Sequence, residues 1–240
     1  MNSKRKRLLI FFSLAFVIAE IAFTVLVQIL SGEANRYVSY ASIVLACLFL
    51  SLFAERSREY VFTQAALVMT VLADFFLVLP AEIKQFPAMV FFSVVQIAYF
   101  MRIYLATEDK RVRKIHLVTR SILTAVAVGA TFAVLGRAVD AVSVVSVFYF
   151  ANLLVNVIFA FAQFRKNYLL ALGLLLFSFC DFLIGCSFIE CYVTVTPGSL
   201  INRLANPGCN LAWIFYVPSQ TLIALSLLPR RLKNSRDIEI

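Results

Sequence analysis

The stretch "VLADFFLVLP", Val71 to Pro80, sets a single carboxylate, Asp74, in a run of apolar side chains that reads as part of a membrane-crossing helix. Over the whole chain of 240 residues, 62% are hydrophobic and only 15% charged. That is too little polar surface to cover a soluble body of this size. The chain therefore reads as an all-α, polytopic integral membrane protein, with Asp74 inside the bilayer.

A helix needs about 20 apolar residues to cross a hydrocarbon core roughly 30 Å thick, since every backbone polar group there must be bonded internally. Apolar runs separated by charged breaks predict eight transmembrane helices: Leu8 to Leu30, Tyr37 to Phe53, Tyr60 to Leu79, Phe86 to Tyr104, His116 to Leu135, Val142 to Phe164, Tyr168 to Glu190 and Gly208 to Leu228. Pro80 and Pro87 bracket a short turn, Pro197 with Gly198 and Pro207 with Gly208 mark a long connection, and Pro229 closes the last span. No connection has room for a soluble domain, so residues 1–240 read as a single transmembrane domain. The first apolar run, about 23 residues, exceeds the 7 to 15 of a secretory signal and reads as a retained anchor.

Basic residues set the orientation. The N-terminal "KRKR", Arg56, Arg58, Arg102, the "EDKRVRK" of Glu108 to Lys114, Arg120, Arg165, Lys166, Arg230, Arg231, Lys233 and Arg236 fall on one side of the eight-helix arrangement. Arg36, Lys84, Arg137 and Arg203 fall on the other. The rule that basic loops stay inside predicts cytoplasmic termini, and many short basic loops fit a bacterial inner membrane. The net charge of +9 is then a matter of topology and contact with anionic membrane lipids, and nucleic acid is not an expected partner.

Cys47, Cys180 and Cys186 fall within spans, where a thiol behaves as a small hydrophobe. Cys191 and Cys209 fall at the outer ends of the last two spans, where an oxidising exterior permits a disulfide.

An ionisable group inside a span is costly and is by default a functional candidate. Glu20, Asp74 and Asp181 lie about 12 to 14 residues from the cytoplasmic ends of their helices, about 18 to 21 Å at 1.5 Å per residue, so their depths match. Residues three or four apart share a helix face. Asp74 shares its face with Thr70; Asp181 is flanked by Ser178 and Gly185, with Gly173 two turns back; Gln96 has Ser93 and Tyr99 beside it. Tyr216 and Gln220 are neighbours on the last span, where Pro218 frees a carbonyl. For Gln96, Gln220, Asn152, Asn156 and Ser178 singly, bonding between helices is the better account, a use worth under about 2 kcal/mol. Glue seldom needs an ionisable group, so Asp74 and Asp181 read as functional.

With no basic residue at their depth, two neighbouring carboxyl groups divide their roles, one holding a proton while the other stays ionised. Such a pair serves as acid and base, and proton-coupled transport uses the same physics. A short echo, "LADFFL" against "FCDFLI", each followed on the next span by Gln96 or Gln220, has the spacing of a parallel repeat. The single histidine, His116, reads as a boundary residue at the inner end of the fifth span. Histidine and cysteine spacing for zinc, a G-x-S-x-G elbow, a P-loop and a G-x-G-x-x-G are all missing, which disfavours a serine hydrolase or a nucleotide enzyme.

In layout the chain resembles the YhhN-like lysoplasmalogenase family, through "VLADFFLVL", "LLLFSFCDFLIG" and "FYVPSQTLIALS". It differs where the family usually has Gly before the first aspartate, here Ala73, and a His on the fourth span, here Gln96; the Lys-Pro common on the second span has no counterpart in "YVSYASIVLACLF". The resemblance implies hydrolysis of the vinyl ether bond of a lysophospholipid substrate, a lysoplasmalogen, to a fatty aldehyde and a glycerophospho-alcohol. It implies Asp74 and Asp181 as the catalytic pair, with Tyr216, Gln220, Gln96, Ser178 and Glu20 lining or orienting the substrate, and neither metal nor organic cofactor. The alternative expectation is a small proton-coupled transporter or lipid-binding protein that uses the same carboxylates.

Overall fold

The computed structural model describes residues 3–79, 82–206 and 208–228. Pro80, Pro207, Pro229 and the C-terminal basic residues Arg230, Arg231, Lys233 and Arg236 lie outside the described residues. The architecture is all-helical: α1 Ser3–Ile29, α2 Gly32–Phe53, α3 Arg58–Val78, α4 Gln85–Ala106, α5 Lys110–Leu135, α6 Ala141–Ala162, α7 Tyr168–Ile189, the short α8 Leu200–Ala205, and α9 Leu211–Leu225.

Seven of these, α1 to α7, are long and apolar enough to cross a membrane. The protein is a polytopic membrane protein. The eighth expected span is shorter than its sequence range, because α9 has 15 residues and at 1.5 Å each runs about 22 Å. Gln28 explains where it starts: its side-chain amide donates to the Asn210 carbonyl at 3.1 Å and accepts from the Asn210 N–H at 3.0 Å. The backbone at Asn210 is thus held by α1 just before the helix begins.

Polar residues at the breaks fix the other starts. Ser57 accepts from the Tyr60 N–H, Asp109 from Arg111 and Asn167 from Leu170, while Asp140 and Ser143 form a reciprocal capping box on α6. Pro87 does not close the turn before α4. It sits in that helix's first turn, where its missing N–H has no intrahelical partner to lose.

The outward faces are apolar and the inward faces are built of small residues, as a bundle in lipid requires. Leu8, Phe11, Leu14, Ile18 and Ile21 of α1 are exposed at helical spacing, whereas Ala46, Ala66, Ala73, Ala171 and Ala224 are fully buried. Ala73, standing where Gly was expected from the family pattern, therefore packs without open space. The most extensive helix pairings are α3 with α4 and α7 with α9; α5 is peripheral and leans mainly on α6. Gly173 makes the α7–α9 approach possible: a Cβ there would lie 2.8 Å from Ile223 Cγ1 and 3.1 Å from the Ser219 carbonyl oxygen.

Candidate functional site

One cavity of about 1140 Å³ opens at the end of the bundle formed by the start of α2, the end of α3, the start of α4, the end of α5, the start of α6, the end of α7 and the start of α9. Its wall is mostly apolar. Asp74 and Asp181 both lie on it, within electrostatic reach of each other.

A tyrosine holds each carboxylate. Tyr216 of α9 donates its hydroxyl to Asp74 Oδ2 at 2.6 Å, and Tyr149 of α6 donates to Asp181 Oδ2. Asp74 is 1% exposed, while Asp181 keeps part of its surface open to the cavity. The two tyrosines are braced by one aromatic cluster. Phe177 sits 5.6 Å from the Tyr216 ring and 6.5 Å from Tyr149, and Phe92 sits 5.5 Å from Tyr149 and 6.0 Å from Phe177. Trp213 meets Tyr216 edge-on at 5.1 Å and also lines the cavity. Tyrosine rings locked by packing fix where their hydroxyls point, and therefore where the carboxylates stand.

The structure thus brings together Asp74, Asp181 and Tyr216. Tyr149 was missed in the sequence, although it begins a polar stripe with Asn152 and Asn156 one and two turns on. The remaining candidates lie away from the cavity wall. Glu20 is buried between α1 and α2 and accepts from Ser42 at 2.6 Å. Ser178 donates to its own helix at the Leu175 carbonyl. Gln220 is buried one turn below Tyr216.

Gln96 belongs to a separate buried network. Arg120 donates to Asn152 Oδ1 and to Asn156 Oδ1, each at 2.6 Å, and Asn156 in turn donates to the carbonyl oxygen and Oε1 of Gln96 at 2.9 and 3.0 Å. The Arg120 guanidinium also lies 4.2 Å over the Phe100 ring. Arg120, counted in the sequence among the basic residues of the cytoplasmic side, is a cross-link from α5 through α6 to α4. His116, near the start of α5, is 1% exposed and stacked on Phe159 with centroids 3.9 Å apart. A ring so enclosed is shielded from solvent by α4 and α6. At the same end of the bundle, the equally buried Arg102 approaches Glu59 at 3.7 Å and donates to Ser226 at 2.9 Å.

Outside the spans, Asp140 accepts from the Ser143 N–H at 2.7 Å, and this bond first of all holds its carboxyl below the ordinary carboxylate value. Tyr192, on the cavity rim, donates to both Asp140 oxygens at 3.1 and 3.2 Å, tying the segment after α7 to the start of α6. At the opposite end, the Lys166 ammonium bonded to Glu108 at 2.8 Å lowers that carboxyl in the same way. Cys191 and Cys209 are exposed and unbonded, so the expected disulfide is not formed. Among the described residues, no three or more His, Cys, Asp or Glu side chains are grouped so as to hold a metal ion.

No curated protein and no solved structure matches the chain. The model of the YhhN family matches residues 34–227, a range that contains both aspartates, both tyrosines and every residue of the cavity wall. The chain belongs to the YhhN family.

Proposed function

We propose that this protein is a membrane-embedded hydrolase that cleaves the vinyl ether bond of lysoplasmalogens, releasing a fatty aldehyde and a glycerophospho-alcohol. The observation that carries the reading is the pair Asp74 and Asp181, each fixed by a tyrosine hydroxyl, on the wall of one large and mostly apolar cavity. Family membership points the same way.

The chemistry suits two carboxyl groups in unlike settings. Protonation of the β-carbon of the vinyl ether gives an oxocarbenium ion; water adds to the α-carbon, and the hemiacetal collapses to aldehyde and alcohol. One carboxylic acid supplies the proton, and the other carboxylate stabilises the cation and takes a proton from the water, as paired carboxylates do in glycoside hydrolysis. Tyr149 and Tyr216 keep the two carboxylates in position. The apolar wall accepts the hydrocarbon chain, with α5 contributing Leu123, Ala127, Ala130, Thr131 and Val134 at helical spacing. A single-chain lipid is the ligand such a lining fits.

Among the described residues, the excess of basic side chains lies at the end of the bundle away from the cavity. By the positive-inside rule we place that end, and both termini, in the cytoplasm of a bacterial inner membrane, with the cavity facing outward. The test is fatty aldehyde released from a lysoplasmalogen by the purified protein in detergent, with Asp181→Asn and Asp74→Asn proteins alongside. Release that disappears in both variants supports the hydrolase. No release from folded wild-type protein overturns it.

A further inference from the structure

The cavity wall carries one cationic side chain among the described residues, Arg36, in the second turn of α2. It is partly exposed, and it stands at the same end of the bundle as the two aspartates. Tyr40, one turn further along α2, is within electrostatic reach of Asp74. Arg36 and Tyr40 are about 6 Å apart along the axis at 1.5 Å per residue. Arg36 and the two carboxylates thus share one cavity wall, with Arg36 near the end of the bundle where α2 begins.

We infer that Arg36 is the specificity-determining residue of the cavity and binds the phosphate of a lysophospholipid. This rests on reading the cavity as a lysophospholipid site. A vinyl ether and a phosphate sit at opposite ends of a glycerol unit, a separation comparable to one helical turn. With the ether between Asp74 and Asp181, the phosphate reaches the Arg36 end of that wall while the hydrocarbon chain runs along its apolar part. A guanidinium offers a planar fork of N–H donors that matches two phosphate oxygens. Two carboxylates alone would repel an anionic substrate, so a cation beside them is what lets a phosphate-bearing lipid enter.

Binding tests this apart from catalysis. Trp213 lines the cavity and is the single tryptophan of the chain, so its fluorescence reports occupancy. Two saturated ligands are compared on the full protein in detergent: an alkyl ether lysophospholipid, which carries phosphate, and the corresponding alkylglycerol, which does not. Wild-type protein should bind the phosphate-bearing ligand at least tenfold more tightly, Arg36→Gln should lose that preference with alkylglycerol binding unchanged, and Arg36→Lys should recover part of it. An undiminished preference in Arg36→Gln overturns the inference. So does equal weakening of both ligands, which would make Arg36 a counter-charge for Asp74. A Trp213 response to inorganic phosphate alone, as strong as that to the lipid, would assign the site to free phosphate and also overturn it. If the preference follows Arg36 while wild-type protein releases no aldehyde from lysoplasmalogen, the hydrolase reading falls and the phosphate site stands.

Discussion

The hydroxyl of Tyr216 lies 2.6 Å from Asp74 Oδ2, joining α9 to α3 across 142 residues of sequence. A hydrogen bond to a charged group is worth about 1.5–3 kcal/mol. Tyr216→Phe keeps the ring in its aromatic cluster and removes only this bond. Aldehyde release should fall by roughly tenfold to a hundredfold, and the thermal midpoint in detergent should fall with it, because the buried carboxyl loses its donor although the ring packing does not change. Tyr149→Phe should behave alike toward Asp181.

The aspartates themselves should show a larger effect. General acid and base roles contribute about 10²–10⁴-fold each. Asp74→Asn and Asp181→Asn should each cost at least that in kcat, and the double variant should lose little more than the worse single one, since the two groups serve one reaction. Asn is nearly isosteric and uncharged, so both variants should express and melt at or above the wild-type temperature.

Part of this cavity wall is legible in the sequence. Periodicity and depth singled out Asp74 and Asp181 because lipid leaves so few excuses for a carboxylate, and the Tyr216–Gln220 spacing marked the right face of α9. The spacing could not say which member of that pair reaches the cavity, because one helical turn separates a residue on the wall from one buried beneath it. Tyr149 escaped notice because an aromatic residue in an apolar span is usually read as packing, and its polar tip matters only once α6 is known to face α7. The bonds of Arg120 were not legible, because spacing along α5 does not say which of its faces meets α6 and α4. Two asparagine carbonyls accept from Arg120 Nη1 and Nη2 and the Phe100 ring lies under the guanidinium, while Phe159 covers the His116 imidazole.

Close packing at Gly173 gives a test of how α9 delivers Tyr216. A Cβ there meets Ile223 and the Ser219 backbone, so Gly173→Val must push α9 outward. Overpacking of this kind costs about 1–3 kcal/mol. Because Tyr216 rides on the same helix, activity should fall alongside the thermal midpoint. Gly185→Ala, whose Cβ would meet nothing within 4 Å, should not lower the midpoint and should raise it slightly through helix propensity.

The Arg120 network should be structural. Arg120→Met removes both donors to Asn152 and Asn156 and leaves two buried amide oxygens without them, at a cost of about 1–3 kcal/mol each when unsatisfied. The thermal midpoint should drop, whereas the KM of the surviving folded protein should stay near wild type, since the cavity wall does not include this residue. A change in KM with an unchanged midpoint would place Arg120 in substrate handling instead.

Asp140 supplies the acid limit of the cavity rim. Its carboxyl is held below the ordinary value of 3.8, chiefly by the Ser143 N–H, so the folded protein favours the ionised form. A depressed folded pKa contributes stability that is fully present above the unfolded value and is lost as pH falls through the folded one. The α6 start, and with it the Tyr192 tie across the rim, should therefore weaken below about pH 4 and not on the alkaline side. Asp140→Ala should lower the midpoint at pH 7 by the equivalent of about 1 kcal/mol, the usual worth of such a cap. Asp140→Asn caps almost as well without a titrating group, so its midpoint should stay near wild type at pH 7 and fall less between pH 5 and pH 3. Parallel melting curves of the three proteins over that range would check both the sign and the window; an acid loss equal in wild type and Asp140→Asn would mean that the rim is held by something other than this carboxylate.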